Sequence, residues 1–215
     1  MTEHYKLSKK AETFKVDKST INKDPYIWYK DNVLSKKKCN EIIKRFNNSK
    51  EQRQGGTGIG IDLSIKNSKD LQISALKDWK DIDDIFHKLI SECLKNYYDH
   101  LNEKIIFKYF TTGENLYIPP NREVTDTGYQ IQKTLPHQGY VWHQDYMTRR
   151  LITFIVYLNT VEEGWTQFMN GDQISPKAGR AVMFPATWTY IHQGYPPRQT
   201  KYLMTGWLHE REDES

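Results

Sequence analysis

The sequence predicts a mainly β protein of the α+β class, a jelly roll braced by helices from the first half of the chain. Two segments of the first half repeat apolar residues at the spacing of an amphipathic helix. After Lys108 the pattern changes to short runs of β-branched and aromatic residues separated by turn signals such as Asn170-Gly171. Helices followed by many short strands favour an antiparallel jelly roll.

The chain is long enough for one folded unit with a sizeable core. It has 215 residues, of which 13% are aromatic, and this content argues against wholesale disorder. Residues 1–24 contain few apolar positions, and we expect a flexible N-terminal arm there. Residues 25–215 are predicted to form a single domain, with helical support in about 25–107 and the β core in about 108–209.

The two helical segments differ in length. The first follows Ser35, a residue type that caps helix N-termini, and its apolar positions are Cys39, Ile42, Ile43 and Phe46. The second keeps the helical period over about five turns, with the apolar positions Ile82, Ile85, Phe86, Leu89, Cys93, Tyr97 and Leu101. Between them, the glycine-rich segment 55–60 lacks the strand, the helix and the Lys-Ser/Thr pair of a nucleotide loop. We expect a mobile loop that enters a strand.

The predicted strands begin with a short aromatic-rich piece at 26–28. The others are 129–134, 140–146, 150–158, 165–169, 180–184, 187–192 and 200–209. Gly139, Gly179 and Gly194 mark further turns between them. The second half therefore carries the β core.

Composition and charge exclude several classes of protein. Only Cys39 and Cys93 are present, so neither a disulfide framework nor a cysteine-based zinc site is expected. No apolar run is long enough for a membrane span or a secretory signal, and we expect a cytoplasmic protein. The net charge of +4 comes from lysine runs near the N-terminus without interleaved aromatic residues, a pattern of a solvated surface rather than a nucleic-acid site.

A candidate metal site lies in the stretch 139–146. In a strand, residues two apart project from the same face, so His143 and Asp145 would point together. Two histidines and one carboxylate on one face are the ligands of non-haem Fe(II) oxygenases. His192, at the end of a predicted strand, is the best third ligand, whereas His137 and His209 are interpreted as ordinary hydrogen-bonded histidines.

A set of short motifs in a fixed order accompanies the candidate ligands. The set is His143-x-Asp145, Arg150-Leu-Ile-Thr153, Tyr157-Leu158-Asn159, Gly164-x-Thr166-x-Phe168, Pro176-x-x-Gly179-Arg180-Ala181, Phe184-Pro185, His192, Lys201-Tyr202 and Trp207. From about residue 129 to residue 209 the chain resembles the prolyl 4-hydroxylase group of Fe(II)/2-oxoglutarate dioxygenases. The stretch 32–43 resembles the first helix of that group much less specifically.

The resemblance implies a double-stranded β-helix in which His143, Asp145 and His192 hold Fe(II). It also implies that Lys201 binds the distal carboxylate of the cosubstrate 2-oxoglutarate, and a buried ammonium needs such an anionic partner. Further candidates for this cosubstrate site are Tyr157 and Thr205 as hydrogen-bond donors, Trp207 as a wall and Tyr140 near the iron. The other reactant is O2, with ascorbate as the expected reductant.

The chain departs from the group in two places. Many members carry a tyrosine near the positions of Gln132 and Lys133, where it contacts 2-oxoglutarate, and its role must pass to another residue or be absent. The loop 163–166 is also altered, and Trp165 is a candidate for substrate selection. Arg198 lies close to Lys201 in sequence, so the sequence leaves open which of the two binds the distal carboxylate of 2-oxoglutarate.

The predicted reaction is hydroxylation of a C–H bond with release of succinate and CO2. The resemblance points to a prolyl residue in a peptide or protein as the substrate. Free amino acids, other small molecules, other side chains and nucleic acids stay open, as do a catalytically silent jelly-roll binding module and a cupin-type isomerase or epimerase. The loops expected to select the substrate are residues 55–61, 110–126 and 146–149, and their sequences do not indicate which substrate is bound.

Overall fold

Two α-helices and twelve strands make up the computed structural model, which describes residues 20–106, 124–147 and 149–211. The helices are α1 (Lys36–Asn48) and α2 (Lys80–Leu101). The strands are β1 (Trp28–Lys30), β2 (Arg53–Gln54), β3 (Lys69–Gln72), β4 (Val124–Asp126), β5 (Gln130–Thr134), β6 (Tyr140–His143), β7 (Arg150–Tyr157), β8 (Thr166–Phe168), β9 (Gln173–Ile174), β10 (Arg180–Pro185), β11 (His192–Gly194) and β12 (Lys201–Glu210). Short 3₁₀ turns at Ile73–Ala75 and Lys77–Trp79 precede α2, and a π-helical turn at Asn102–Ile106 follows it.

Both predicted helices are present. Ser35 caps α1, and its hydroxyl accepts a hydrogen bond from the backbone N–H of Lys38 at 3.2 Å. The buried residues of α1 are Cys39, Ile42 and Phe46, and those of α2 are Ile82, Phe86, Leu89, Ile90, Cys93, Leu94, Tyr97 and Leu101. Burying one apolar stripe of each helix against the sheet is the main source of helix stability, as in most globular proteins. No helix in the described ranges is both long and apolar enough to cross a membrane.

Two antiparallel sheets form the β core. In the described residues, the larger sheet has the order β1-β10-β7-β12-β5-β3-β2, with β4 paired to β12, and the smaller sheet has the order β6-β11-β8-β9. The central strand β7 is buried on both faces because Phe154 and Val156 pack toward the helices while Ile155 and Tyr157 pack between the sheets. The jelly roll predicted from the sequence is confirmed, and its smaller sheet forms one wall of the site described below.

The first half of the chain supplies more than the expected helical support. Strands β1, β2 and β3 lie within residues 25–107 and extend the larger sheet at its two ends. Residues 20–24, assigned to the arm from the sequence, contact the folded body: the backbone of Ile21 pairs with Gln173, and Asp172 accepts hydrogen bonds from the N–H groups of Lys23 and Asp24. Residues 1–19 of the expected arm lie outside the described residues.

Two strands differ from their predicted bounds near the candidate ligands. The strand expected at 140–146 ends at His143, and a hydrogen bond from the N–H of Arg150 to the carbonyl of Met147 (3.0 Å) closes the loop that follows. The strand expected at 187–192 begins only at His192, because residues before it form a turn in which the N–H of Tyr190 bonds to the carbonyl of Thr187. Alternating residues in both stretches resemble strands, but the sheet pairing ends at the two histidines.

A substitution at Gly206 tests how tightly β12 is packed. A Cβ at this position would lie 2.5 Å from Cζ of Phe154 and 2.6 Å from the carbonyl oxygen of Gly128, whereas a Cβ at exposed Gly58 would meet nothing within 4 Å. We expect Gly206→Ala to lower the free energy of unfolding by about 1–3 kcal/mol through overpacking. Gly58→Ala should change it by less than about 0.5 kcal/mol. Urea denaturation of both variants checks this, and equal midpoints would contradict the packing described.

Candidate metal centre and adjoining pocket

His143, Asp145 and His192 form a cluster whose ligand atoms all lie within 4.8 Å of one another. Nε2 of His143 is 3.8 Å from Oδ1 of Asp145, and Nε2 of His192 is 3.6 Å from Oδ2 of the same carboxylate. His143 ends β6 and His192 begins β11, and the two residues are direct partners in the antiparallel register. No other group of three such side chains suited to a metal ion occurs among the described residues.

Asp145 reaches the cluster from the loop after β6 rather than from the strand. The alternation expected for a continuous strand therefore does not explain its position. The loop is held by a hydrogen bond from the Arg150 guanidinium to the carbonyl of Asp145 (3.2 Å), and the hydroxyl of Thr153 donates to Oδ2 of Asp145 at 2.8 Å. These two bonds orient the carboxylate toward both imidazoles.

Backbone carbonyls fix the orientation of both histidine rings. Nδ1 of His143 lies 2.8 Å from the carbonyl oxygen of Val141, and Nδ1 of His192 lies 3.0 Å from that of Tyr190. A carbonyl only accepts hydrogen bonds, so each Nδ1 carries the proton and each Nε2 presents a lone pair. This is the arrangement that holds histidine ligands in metal sites.

The electrostatics of the cluster favour metal ligation. Burial, together with the nearby His192, lowers the pKa of His143 to about 3. Burial alone would raise the pKa of Asp145, but the two histidines and the Thr153 hydroxyl outweigh it and the pKa is lowered. Neutral imidazoles beside an ionised carboxylate are the protonation states that a metal requires. The donor set fits Fe(II) bound by two histidines and one carboxylate.

A pocket adjoins the cluster, and Lys201 lies at its wall. Lys201 is 3% exposed, and its ammonium donates to the carbonyl of Gly164 at 2.7 Å. Burial lowers its pKa to about 7, and no carboxylate among the described residues offsets that effect. A buried ammonium that faces a pocket without an anionic partner is costly, so a bound carboxylate would stabilise it. The lining residues are Lys66, Ser68, Gln132, Thr134, Gly139, Tyr140, His143, Asp145, Thr153, Ile155, Thr166, His192, Gly194, Lys201, Leu203, Thr205 and Trp207.

The other candidates for the anion site occupy different positions. Alternation along β12 brings Leu203, Thr205 and Trp207 to the pocket with Lys201. The Thr205 hydroxyl, however, donates to the carbonyl of Phe154 at 2.9 Å, so only its lone pairs remain for a ligand.

Tyr140 forms part of the pocket wall, whereas Tyr157 lies behind it. Tyr157 is fully buried outside the pocket lining, and its hydroxyl lies 2.6 Å from Oγ1 of Thr166, which does line the pocket. Tyr140 lines the pocket and stacks on His143, with ring centroids 3.5 Å apart. Tyr157 therefore reaches the pocket only through Thr166.

Arg198, Trp165 and the two remaining candidate histidines lie away from the pocket lining. Arg198 is exposed and forms an ion pair with Glu163 at 2.7 Å, so it does not take the place of Lys201. Trp165 is 6% exposed and stacks on Tyr195 at 4.6 Å, a buried position that does not suit substrate selection. His137 and His209 are outside the metal cluster.

Several lining residues had no signal in the sequence. Lys66 and Ser68 lie between β2 and β3, in a segment without a recognisable motif, and only the pairing of that segment with β6 brings them to the pocket. Thr153 and Thr166 stand inside motifs quoted above, but their spacing alone assigns them no role. Polar residues at inward positions of predicted strands are the signal that could have identified these two threonines.

Comparison with known proteins gives a family match over part of the chain and a likeness of fold over most of it. Residues 129–209 match the model of the 2OG-Fe(II) oxygenase superfamily. No relative was found among curated protein sequences.

Three solved structures illustrate the likeness. A prolyl-4-hydroxylase of Pseudomonas putida is 16% identical, with a TM-score of 0.60 over 86% of this chain and 93% of its own. The viral collagen prolyl hydroxylase of Paramecium Bursaria Chlorella virus-1 is 20% identical, with a TM-score of 0.57 over 87% and 97%. A prolyl hydroxylase of Trichoplax adhaerens, solved with a peptide fragment of the hypoxia inducible factor oxygen degradation domain, is 16% identical, with a TM-score of 0.64 over 98% and 94%. The expected double-stranded β-helix is confirmed.

Replacing Thr153 tests the role of its hydrogen bond to Asp145. We expect Thr153→Val to weaken Co(II) binding by about 10- to 100-fold, because the carboxylate loses the donor that orients it. The same substitution at exposed Thr125 on β4 should leave the affinity unchanged. Calorimetric titration of both variants measures this, and equal Co(II) affinities in the two would show that Thr153 does not support the metal ligand.

Proposed function

We propose that the protein is a 2-oxoglutarate-dependent dioxygenase that hydroxylates a prolyl residue in a peptide or protein, on the premise that residues 129–209 match the model of the 2OG-Fe(II) oxygenase superfamily. The family match supports this class of enzyme, and the fold is that of the solved prolyl hydroxylases. The observation that carries the proposal is the presence, in one pocket, of two histidines with one carboxylate and of a buried ammonium without an anionic partner.

In this proposal His143, Asp145 and His192 hold Fe(II), and Lys201 binds the distal carboxylate of 2-oxoglutarate. Bound Fe(II) with 2-oxoglutarate and O2 supplies the oxidation that inserts one oxygen atom into a C–H bond and converts 2-oxoglutarate to succinate and CO2. The protein residues position these groups. The Gly164 carbonyl holds the Lys201 ammonium at the pocket wall, and the absence of a side chain at Gly194 leaves the space beside that ammonium open.

The pocket also keeps the reacting groups away from bulk water. Leu203 and Ile155 contribute apolar surface to its wall, and Tyr140 covers one face of the His143 imidazole. Removing water strengthens the attraction between Lys201 and a bound carboxylate. The two histidines, with the Thr153 hydroxyl, lower the pKa of Asp145, and that hydroxyl also orients the carboxylate, so the carboxylate remains available as a ligand.

A peptide substrate is supported by the surface beside the metal cluster. Trp142, Tyr146 and Met147 are 37%, 54% and 52% exposed, and they flank His143 and Asp145 along the chain. Exposed aromatic and methionine side chains next to a site are typical of surfaces that bind other chains. The Trichoplax adhaerens structure, which contains a peptide fragment, gives the same indication by likeness of fold.

Mass spectrometry of a peptide library tests the proposed reaction. After incubation with Fe(II), ascorbate and 2-oxoglutarate, we expect the gain of one oxygen atom on proline, with succinate released in equal amount. His143→Ala should abolish both products, because one ligand is lost, while His137→Ala in the turn outside the cluster should retain them. Oxygen on free amino acids alone would contradict the peptide substrate, and absence of 2-oxoglutarate turnover with every substrate would favour a binding module.

The pH dependence of 2-oxoglutarate binding tests Lys201. Its pKa is lowered to about 7 in the ligand-free pocket, and a bound carboxylate would raise it, so binding above pH 7 must take up a proton. The affinity should therefore fall by between about ten- and a hundredfold from pH 7 to pH 9. The His143 pKa of about 3 and the Tyr140 pKa of about 12 lie outside this range.

The control for this titration is Lys201→Arg. A guanidinium stays charged throughout the range, so the variant should bind 2-oxoglutarate with little dependence on pH. Calorimetry of Co(II)-loaded protein at several pH values gives both curves. A flat wild-type curve, or identical slopes for the two proteins, would show that Lys201 is not the titrating group that binds the ligand.

A further inference from the structure

A segment outside the superfamily match contributes a second lysine to the pocket. Residues 65–67 run beside β6, where the N–H of Val141 bonds to the carbonyl of Ile65 and the N–H of Asn67 bonds to that of Gly139, both at 3.0 Å. This pairing holds Lys66 opposite Tyr140. The Lys66 side chain is buried and lines the same pocket as Lys201.

The Lys66 ammonium is paired with Asp70. Its Nζ lies 2.7 Å from Oδ2 of Asp70, and the two side chains are 6% and 8% exposed. The other oxygen of Asp70 accepts a hydrogen bond from the hydroxyl of Ser68 at 2.7 Å. A buried ion pair is tolerated only when its remaining donors and acceptors are satisfied, and here both oxygens of the carboxylate are.

Gly55 makes room for this ion pair. A Cβ at Gly55 would lie 2.9 Å from Oδ2 of Asp70 and would collide with the hydroxyl oxygen of Ser68. The next carbonyl, that of Gly56, lies 3.4 Å from Nζ of Lys66. The glycine-rich segment noted in the sequence therefore covers the ion pair closely, which gives these glycines a structural reason unrelated to nucleotides.

One N–H group of the Lys66 ammonium has no acceptor among the described residues. It carries three N–H groups, of which Asp70 accepts one at 2.7 Å and Gly56 accepts one at the long distance of 3.4 Å. Among the described residues nothing accepts the third. The ammonium lies 5.6 Å from the centre of the Tyr140 ring, and that ring stacks on His143. The ammonium is therefore close to the Tyr140–His143 stack beside the metal cluster.

We propose that Lys66 donates this hydrogen bond to the 2-oxo acid end of bound 2-oxoglutarate, opposite the end held by Lys201, while Asp70 balances its charge. The proposal rests on the proposed function, which supplies the ligand. A divalent metal, Asp145 and protonated Lys201 together carry two positive charges, which match the dianion. The Lys66–Asp70 pair adds a donor without adding net charge.

The neighbouring strand β5 brings no charged donor into the pocket. Its lining residues are Gln132 and Thr134, and one N–H of the Gln132 amide bonds to the side-chain oxygen of Gln130 at 2.6 Å. Lys133 is outside the lining and bonds to Asn47. The resemblance noted in the sequence leads one to expect a tyrosine near Gln132 and Lys133. A neutral ion pair with one free N–H offers the pocket the same kind of contact as a tyrosine hydroxyl.

Two ligands separate the roles of the lysines in calorimetric titrations of Co(II)-loaded protein. 2-Oxoglutarate has both the 2-oxo acid group and the distal carboxylate, whereas 2-oxopentanoate has only the 2-oxo acid group. The double variant Lys66→Met/Asp70→Asn should bind both ligands about tenfold more weakly, the equivalent of one lost hydrogen bond. Lys201→Met should weaken 2-oxoglutarate binding only, and Lys69→Met, at an exposed position on β3, should change neither.

A rescue variant distinguishes ligand contact from a structural role. Lys66→Gln/Asp70→Asn keeps an N–H donor at position 66 and leaves no buried charge unpaired, so it should recover most of the affinity for both ligands, and its comparison with the wild type carries the test if the methionine variant does not fold. Unchanged 2-oxoglutarate affinity in the folded methionine variant, or a glutamine variant that binds both ligands more than about tenfold more weakly than the wild type, would overturn the role of Lys66 while wild-type binding still supports the proposed function. Wild-type protein that binds Co(II) but neither ligand would overturn both.

Discussion

The antiparallel register between β6 and β11 is the constraint on which the site depends. It places His143 directly opposite His192, and β11 is fixed from its other side by β8, where His192 pairs with Phe168. A slip of one residue would turn either side chain to the opposite face of the sheet and separate the two imidazoles. Phe184 packs against the His192 ring at 4.9 Å, so the core between the sheets also holds this side chain in place.

Charge organises the rest of the pocket. Asp145 is stabilised as a carboxylate by its neighbours, whereas Lys201 is buried without a carboxylate partner among the described residues. The pocket therefore presents a carboxylate with two imidazoles for a cation and an ammonium for an anion. Lys66, by contrast, has its partner in Asp70. A divalent metal at the first site, together with an anion that reaches from the metal to Lys201, satisfies both sets of residues, and 2-oxoglutarate has the groups to do so.

Much of the fold follows from local patterns in the sequence. The helix α1 could be placed because Ser35 caps it and because its apolar residues keep one period. The strand β12 could be placed because a run of mostly β-favouring residues follows a turn signal. The ends of β6 and β11 could not, because pairing between distant strands, rather than local alternation, decides where each ladder stops. Asp145 was named as a ligand, although a loop positions it instead of the strand.

The pocket shows the same division between local and long-range information. Lys201 was predicted from its place in a motif, and the structure brings it to the pocket. Lys66 was not predicted, because its contribution depends on a contact with β6 across more than seventy positions of sequence, and nothing local marks it. Tyr157 was expected at the anion site, but its hydroxyl stops at Thr166 because Thr166 stands between it and the pocket. Alternation predicts which face of a sheet a side chain projects from, but the packing of the core decides whether that side chain reaches the pocket.

The most direct test of this account is a crystal structure with Mn(II) in place of iron and with 2-oxoglutarate, using anomalous scattering to locate the metal. The account predicts one anomalous peak bound by His143, Asp145 and His192, with the distal carboxylate of 2-oxoglutarate on the Lys201 ammonium. A metal held by other residues, or a distal carboxylate that does not contact Lys201, would contradict it.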